Sequence, residues 1–334
     1  MVTLKDIAQE CKVSFSTVSK ALKGSSEISV DTRNAIQAKA KEMGYHPNIA
    51  ARTLRTNRTY DLCVIFVDKT GSGFQHQYFA KIISGIQAVA QNNGYEITFT
   101  GRNDPTFDYY THIKARNFDG VAILSADFES EQIQTLIKSE IPTVTLDYIF
   151  DQEHFAILSD NQKGMKELTE YLISMGHRNF GIIHGEKTRV TTERLEVFFN
   201  VLKEHGLDCP SKNIKEGLYH DPVTSQEATS KLLDLPDAPT CILYPDDYAA
   251  LGGIRELNRR GLVPGKDISI SGYDGIMLTS LLMPPLTTYE QDGCLIGNRI
   301  AESLINQIEN LNMSSETISS VTGRLIKGGS VVKL

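Results

Sequence analysis

The chain has 334 residues, 40% of them hydrophobic, enough for two or three domains that each bury a core. Its net charge of −7 hides an asymmetry, because residues 1–58 hold ten Lys/Arg against five Asp/Glu while the remainder holds 24 against 36. A basic head on an acidic body attracts polyanions at one end only, and no run approaches the roughly 18 apolar residues that a membrane span needs.

The head reads as three short helices. The first spans Leu4–Glu10, with Leu4, Ile7 and Ala8 on one face and Thr3 as cap. The second starts after Ser14 as cap and runs Phe15–Lys23 to Gly24; the third runs from Ser29 through Val30, Ile36, Ala40 and Met43 to Gly44. Two helices joined by about three residues and closed by a third make a helix-turn-helix pattern. On the second helix Val18 and Ala21 face inward, whereas Ser16, Ser19, Lys20 and Lys23 share the opposite arc. A positive, hydroxyl-rich arc suits base edges and phosphates in a DNA major groove, with Ser16 and Lys20 the candidates for base contact. Phe15 lies at the border, open to core packing or to contact with a thymine methyl. In residues 47–58 Pro47 can start a helix, but one too short to hold alone in water, so the segment folds on a partner or stays a flexible linker. There Arg52, Arg55 and Arg58 suit phosphates, and Leu54 suits a minor-groove wedge or packing against the body.

From Asp61 onward, short apolar runs alternate with helical stretches. Leu62–Val67, Ile97–Thr100, Val121–Leu124, Val144–Leu146, Phe180–His184, Cys241–Tyr244 and Ile268–Ser271 read as buried strands. Phe79–Ala90, Gln132–Ser139, Lys163–Ser174, Glu193–His205 and Ala249–Arg259 read as helices between them. Such alternation means parallel sheets covered on both faces, and the number of units calls for two lobes with a cleft. Ligands of open α/β sheets bind beyond the carboxyl ends of strands, where Asp68, Ser125, Asp147, Asp160, Asp246 and Asp274 fall. A lone Asp there is commonly a helix cap. The five cysteines (Cys11, Cys63, Cys209, Cys241 and Cys294) are scattered without a CxxC and read as small buried residues, so neither a metal site nor a cofactor is expected. Enzyme chemistry is not expected either: no GxGxxG follows a strand, no HExxH occurs, and His76, His177, His184 and His220 stand isolated.

Several motifs together resemble the lactose-repressor (LacI/GalR) family. They are Val2-Thr3-Leu4-Lys5-Asp6-Ile7-Ala8, Val13-Ser14-Phe15-Ser16-Thr17-Val18-Ser19-Lys20, Gly44-Tyr45-His46-Pro47-Asn48 and Ala51-Arg52-Thr53-Leu54. The likeness continues through Gly176-His177-Arg178, Asp246-Asp247-Tyr248-Ala249-Ala250-Leu251-Gly252, Ile268-Ser269-Ile270-Ser271-Gly272-Tyr273-Asp274 and Leu286-Thr287-Thr288. The resemblance implies a cytoplasmic, nucleoid-associated bacterial transcriptional regulator, a homodimer that reads double-stranded, pseudo-palindromic operator DNA. It implies an all-α helix-turn-helix domain over 1–46, a hinge over 47–60, and an α/β two-lobed domain of the type I periplasmic-binding-protein kind over 61–334. Lobe 1 would take about 61–159 and 291–320, and lobe 2 about 160–290 and 321–334. Thr3, Ser14, Thr17, Asn48 and Ala51 join the residues expected at DNA.

The same resemblance raises Asp246 and Asp274 above the other carboxylates as effector contacts. It adds Arg194, the aromatic pair Tyr78 and Phe79, and Gln291 beside a crossover. Asp, Arg and an aromatic wall favour a sugar or sugar phosphate effector, with a purine-like corepressor the rival and control by a partner protein a third possibility. The chain departs from the family at Lys12, where Gly or Asn is usual, and at Lys20, where Arg is usual and a bidentate guanine contact is lost. Its C-terminal residues Gly328–Leu334 carry no heptad pattern, so no coiled-coil tetramer is expected.

Overall fold

The computed structural model describes all residues except 1, 23, 46–52, 54–57, 68–74, 103, 105 and 312–315. The chain divides into two units, residues 1–59 and residues 60–334.

In the first unit α1 (Leu4–Glu10), α2 (Phe15–Leu22) and α3 (Val30–Glu42) close over Ile7, Val18, Ala21, Ile36 and Ala40. Side chains start all three helices. Thr3 Oγ1 accepts from Asp6 N at 3.4 Å while Asp6 accepts in return from Thr3 N at 2.7 Å, a capping box. Ser14 Oγ accepts from Thr17 N at 3.1 Å, and Ser29 Oγ from Thr32 N at 3.3 Å. Gly24 and Gly44 follow α2 and α3 with φ of 76° and 69°, the left-handed turn that ends a helix. Lys12 turns the chain between α1 and α2 with φ of 52°, a conformation that strains a residue bearing Cβ by about 1–2 kcal/mol. Val30 departs from its expected inward role and is 59% exposed. Six residues before Ile36, it falls about 120° round the helix from that core position.

The second unit begins with β1 (Asp61–Phe66), α4 (Gln77–Asn92), β2 (Glu96–Thr100), α5 (Tyr109–Arg116), β3 (Gly120–Ser125), α6 (Glu131–Ile137), β4 (Thr143–Leu146) and β5 (Phe155–Ser159). It continues with α7 (Asn161–Ser174), β6 (Phe180–His184), α8 (Arg189–Glu204), β7 (Ile214–Glu216), α9 (Pro222–Leu233), β8 (Cys241–Leu243), α10 (Asp247–Arg259), β9 (Ser269–Asp274) and β10 (Thr287–Glu290). The last elements are α11 (Gly293–Glu309), β11 (Ile318–Val321) and β12 (Arg324–Ile326).

Two six-stranded sheets result, ordered β11-β5-β4-β3-β1-β2 and β12-β10-β9-β8-β6-β7. Every pairing is parallel except β10 with β12. Central strands such as β1 and β3 are buried along nearly their whole length because helices cover both faces, which is why they read as continuous apolar runs. The chain passes from the first sheet to the second after Ser159, returns after Glu290 to place α11 against α4, and crosses again between Val321 and Arg324. In lobe 2, α9 and α10 pack backbone to backbone: a Cβ on Gly252 would lie 2.0 Å from the Pro222 carbonyl oxygen. Cys63 and Cys241 are buried as expected, but Cys294, in the first turn of α11, is exposed.

Candidate functional site

In the head unit, α2 presents Phe15, Ser16 and Lys20 to solvent. Phe15 is 49% exposed, which settles its position outside the core. Ser14 Oγ lies 2.7 Å from Ser16 Oγ and 2.8 Å from Thr17 Oγ1, so one hydroxyl cluster caps the helix and faces outward. Lys20 is ion-paired with Glu27, both side chains well exposed. Thr3 is exposed at the start of α1 and Ser19 is half-buried on α2. α3 holds the end of α2 in place, Gln37 Nε2 donating to Ala21 O at 3.2 Å and Arg33 to Gly24 O at 3.3 Å. The expected hinge contacts Asn48, Ala51, Arg52, Leu54 and Arg55 lie outside the described residues, as does Asp68.

In the second unit a polar cluster forms where the carboxyl ends of both sheets face each other. At its centre Arg194 is only 7% exposed. Its Nε donates to Asn161 Oδ1 at 2.8 Å, an Nη donates to Pro245 O at 3.0 Å, and the guanidinium lies 3.7 Å over the Tyr273 ring. Burial works against that charge, yet Tyr273, Tyr219, Asp274 and Asp147 around it hold the guanidinium above its ordinary pKa. A cavity of about 20 Å³ lies beside it, walled by Arg194, Thr191, Tyr219 and Tyr273 over Met165 and Leu243.

The carboxylates surround this arginine. Asp274 is buried, adopts φ of 102°, and accepts from Gln291 Nε2 at 2.7 Å. Burial and then the neighbouring Asp246 push its carboxyl up to about 7. Asp246 caps α10, accepting from Ala249 N at 2.8 Å and from His220 N at 2.6 Å, and burial raises it too. On the lobe 1 side, Asp147 accepts from Ser159 N at 2.6 Å and Ser159 Oγ at 3.0 Å, and Tyr78 OH lies 2.8 Å from the same Ser159 hydroxyl. Burial lifts both Asp147 and Tyr78 above their ordinary values. Phe79 packs instead against Phe66 and His76, 4.7 and 4.8 Å between ring centroids.

Contacts run from lobe to lobe. The imidazoles of His76 and His220 stack at 4.1 Å, with Tyr248 3.8 Å from His220. Gln77 Oε1 accepts from Met277 N at 3.1 Å, and Lys81 Nζ donates to Gly275 O at 3.2 Å. Two of the expected residues are engaged elsewhere. Asp160 caps α7 through Lys163 N and accepts from Thr322 with its other oxygen, while Ser125 Oγ donates to Val67 O. Residues that sequence reasoning passed over include Asn161, which orients Arg194, together with Ser159, Tyr219, His220 and Asp247. Asp247 is fully buried between Thr288 Oγ1 at 2.6 Å and Ile276 N at 2.9 Å. Only the Asp246-Asp247 pair gave a signal in the sequence. The others depend on contacts far apart along the chain.

A helix-turn-helix unit joined to a two-lobed α/β unit with a buried polar cleft defines the class of ligand-responsive DNA-binding regulators. Residues 3–48 match the family described as bacterial regulatory proteins, lacI family, and residues 169–331 match the periplasmic binding protein-like domain. The HTH-type transcriptional repressor PurR of Pasteurella multocida (strain Pm70) is 30% identical over 314 residues, covering 92% of each chain. A probable HTH-type transcriptional repressor ExuR of Bacillus subtilis (strain 168) is 29% identical over 331 residues and covers 98% of each. Among solved structures, the Lac repressor bound to ONPG in the repressed state superposes with a TM-score of 0.83 at 24% identity, over 99% of both chains. The chain belongs to the LacI family of transcriptional regulators. Among the described residues no helix is long and apolar enough to cross a membrane.

Proposed function

We propose that this protein is a cytoplasmic repressor that binds a pseudo-palindromic operator as a homodimer and is controlled by a small polar effector held in the cleft. The observation that carries the effector part is Arg194, a buried cation on the wall of a lobe 2 cavity, with the carboxylates of Asp274 and of Asp147 from lobe 1 acting on its charge. A ligand that engages Arg194 and Asp274 on one side and the Asp147–Ser159–Tyr78 chain on the other shifts the lobes relative to each other. Such coupling is typically worth about 1–3 kcal/mol and is reciprocal between ligand and DNA. Ser16 and Lys20 read bases, Phe15 offers an apolar contact to a thymine methyl, and Thr3, Ser14, Thr17 and Ser19 serve the phosphates. Asn48, Ala51, Arg52 and Arg55 extend the contact through the hinge, with Leu54 as the wedge. Dimerisation draws support from Met277, Leu281 and Met283, which are 69, 68 and 94% exposed within one short stretch of lobe 2.

A sugar or sugar phosphate that releases DNA is the effector that the buried Asp246, Asp274 and Arg194 favour. A purine corepressor is the second reading, favoured by the PurR relatives. The test is capture of genomic DNA fragments by the purified protein, with and without sugars, sugar phosphates and purines. Selective capture of one duplex, lost on adding a sugar, is the expected result. Tighter capture on adding a purine selects the second reading, and capture of no duplex under any condition overturns the proposal. With the captured duplex, Lys20→Ala is expected to change base preference; equal weakening at every site makes Lys20 a phosphate contact instead.

A further inference from the structure

One carboxylate lies on the face of the head unit that is expected to meet DNA. The head holds five, and three of the others serve helices. Asp6 closes the capping box of α1, Asp31 lies in the first turn of α3, and Glu42 pairs with Lys39 within α3. Glu27 instead pairs with Lys20 across the turn between α2 and α3. Both side chains are well exposed, so the pair adds little stability. A carboxylate beside phosphates also weakens DNA binding in general. The position of Glu27 is nonetheless fixed. Ser25 N donates to Lys20 O at 3.0 Å, Glu27 N donates to Ser25 Oγ at 3.3 Å, and Ile28 N donates to Ser25 O at 3.3 Å. Ile28 packs on the head core, so the turn holds Glu27 as a fixed neighbour of α2.

We propose that Glu27 is a specificity-determining residue, and that the intact Lys20–Glu27 pair reads one G·C base pair in the major groove with guanine toward Lys20. The proposal rests on the reading of α2 as the base-contacting helix. The edge of that base pair presents the guanine N7 and O6 acceptors and then the cytosine N4 donor. An ammonium has three donors, of which one serves Glu27 and two remain for N7 and O6. The carboxylate accepts from cytosine N4 with a lone pair that the ion pair leaves open. Neither charge gives up its partner on binding. A T·A pair, with thymine toward Lys20, offers one acceptor and one donor in the same order and ranks second. In A·T and C·G the order is reversed, so the ammonium meets an amino group and the carboxylate meets O4 or O6. Lys20 by itself is a point charge on a flexible stem that reaches guanine on either strand. The carboxylate supplies the rejection of the wrong orientation.

The test uses the full chain and a duplex library whose random core is long enough for two half-sites. Wild type selects a site, and affinities for the four base pairs at each of its positions are then measured by fluorescence anisotropy. Lys20→Ala is expected to alter the preference at one position of each half-site, which marks where Lys20 reads. There wild type is expected to favour G·C over C·G by at least about tenfold. Glu27→Ala is expected to shrink that ratio at least about fivefold while the ratios at other positions stay as they are. Glu27→Gln is nearly isosteric, so it keeps the test independent of any loss of fold in the alanine variant. Its amide both donates and accepts, and it is expected to lose the same discrimination while its affinity rises more on C·G and unrelated duplexes than on the selected one. Adding Glu27→Ala to Lys20→Ala is expected to change nothing further at that position. Equal gains on all four base pairs in both Glu27 variants, or a wild-type preference for any base pair but G·C at the marked position, overturns this proposal alone. Equal weakening by Lys20→Ala at every position overturns the base-reading role of Lys20 and this proposal with it.

Discussion

Asp274→Asn has a calculable effect on stability that needs no ligand. The wild-type carboxyl moves from 3.8 to about 7 on folding, a shift of roughly three units, or about 4 kcal/mol at most. The folded state binds more protons than the unfolded state between those two values, so wild-type stability falls as pH rises through that window. Below pH 4 both carboxyls are protonated and the site contributes no pH dependence. Asparagine is close to isosteric, still accepts from Gln291 Nε2 through its oxygen, and tolerates the φ of 102° about as well as aspartate. The variant is therefore expected to match wild type near pH 4 and to exceed it progressively toward pH 8. For a unit of this size each kcal/mol is worth about 2–4 °C, so the gap at pH 8 reaches roughly 8–16 °C at most. Asp246 shares the titration, which spreads the transition over a wider pH range. Thermal unfolding of both proteins at five pH values measures it. A difference that stays flat with pH refutes the buried, proton-linked carboxyl.

Three further perturbations probe other parts of the molecule. Gly252→Ala improves helix propensity by about 1 kcal/mol, but its Cβ would sit 2.0 Å from the Pro222 carbonyl, and overpacking of about 1–3 kcal/mol dominates. Its melting temperature is expected to fall, and a rise would mean that α9 and α10 separate without cost. Lys12→Gly relieves about 1–2 kcal/mol of left-handed strain at an entropic cost of roughly 0.5–1 kcal/mol. Calorimetry of the intact protein should show its head unit more stable by up to about 1.5 kcal/mol; a loss would give the Lys12 side chain a contact of its own. Glu27→Gln frees Lys20 from an exposed pair worth about 0.2–1 kcal/mol. DNA affinity by fluorescence anisotropy should rise roughly 1.5- to 5-fold, whereas a fall would show that Glu27 positions Lys20.

The parts of the fold visible in the sequence are those whose periodicity is strong and local. α1 spans Leu4–Glu10 and β6 spans Phe180–His184, as their apolar patterns indicate. Other elements were hidden for identifiable reasons. β7 and β12 have three residues each and lie at sheet edges, and β10 reads Thr-Thr-Tyr-Glu yet buries three of its four residues. α9 turns Ser225 and Thr229 inward, so its buried face is polar; Thr229 satisfies itself on Ser225 O and lies 2.8 Å from Tyr244 OH. α11 carries Ile296, Ile300, Leu304 and Ile308 at helical spacing, but its return to the first sheet is a tertiary fact. The same division governs the cleft. Aspartates after strands are easy to locate, but only the structure separates Asp160, occupied by Lys163 and Thr322, from Asp274, held toward Arg194 by a glutamine 17 residues away.

The return of α11 to lobe 1 also sets a schedule for synthesis. The hydrophobic core beneath β1 and α4 is completed by Ile296, Ile300 and Leu304, which a ribosome adds about 200 residues after α4 is finished. At roughly 5–20 residues per second the interval is about 10–40 s. Throughout it, the apolar faces of Ile82 and Ile86 lack their final cover while the whole of β6 to β10 is being made. A nascent chain of this protein is thus exposed to chaperones and to aggregation for most of its translation, and neither lobe can be released as a finished body before the other is nearly complete.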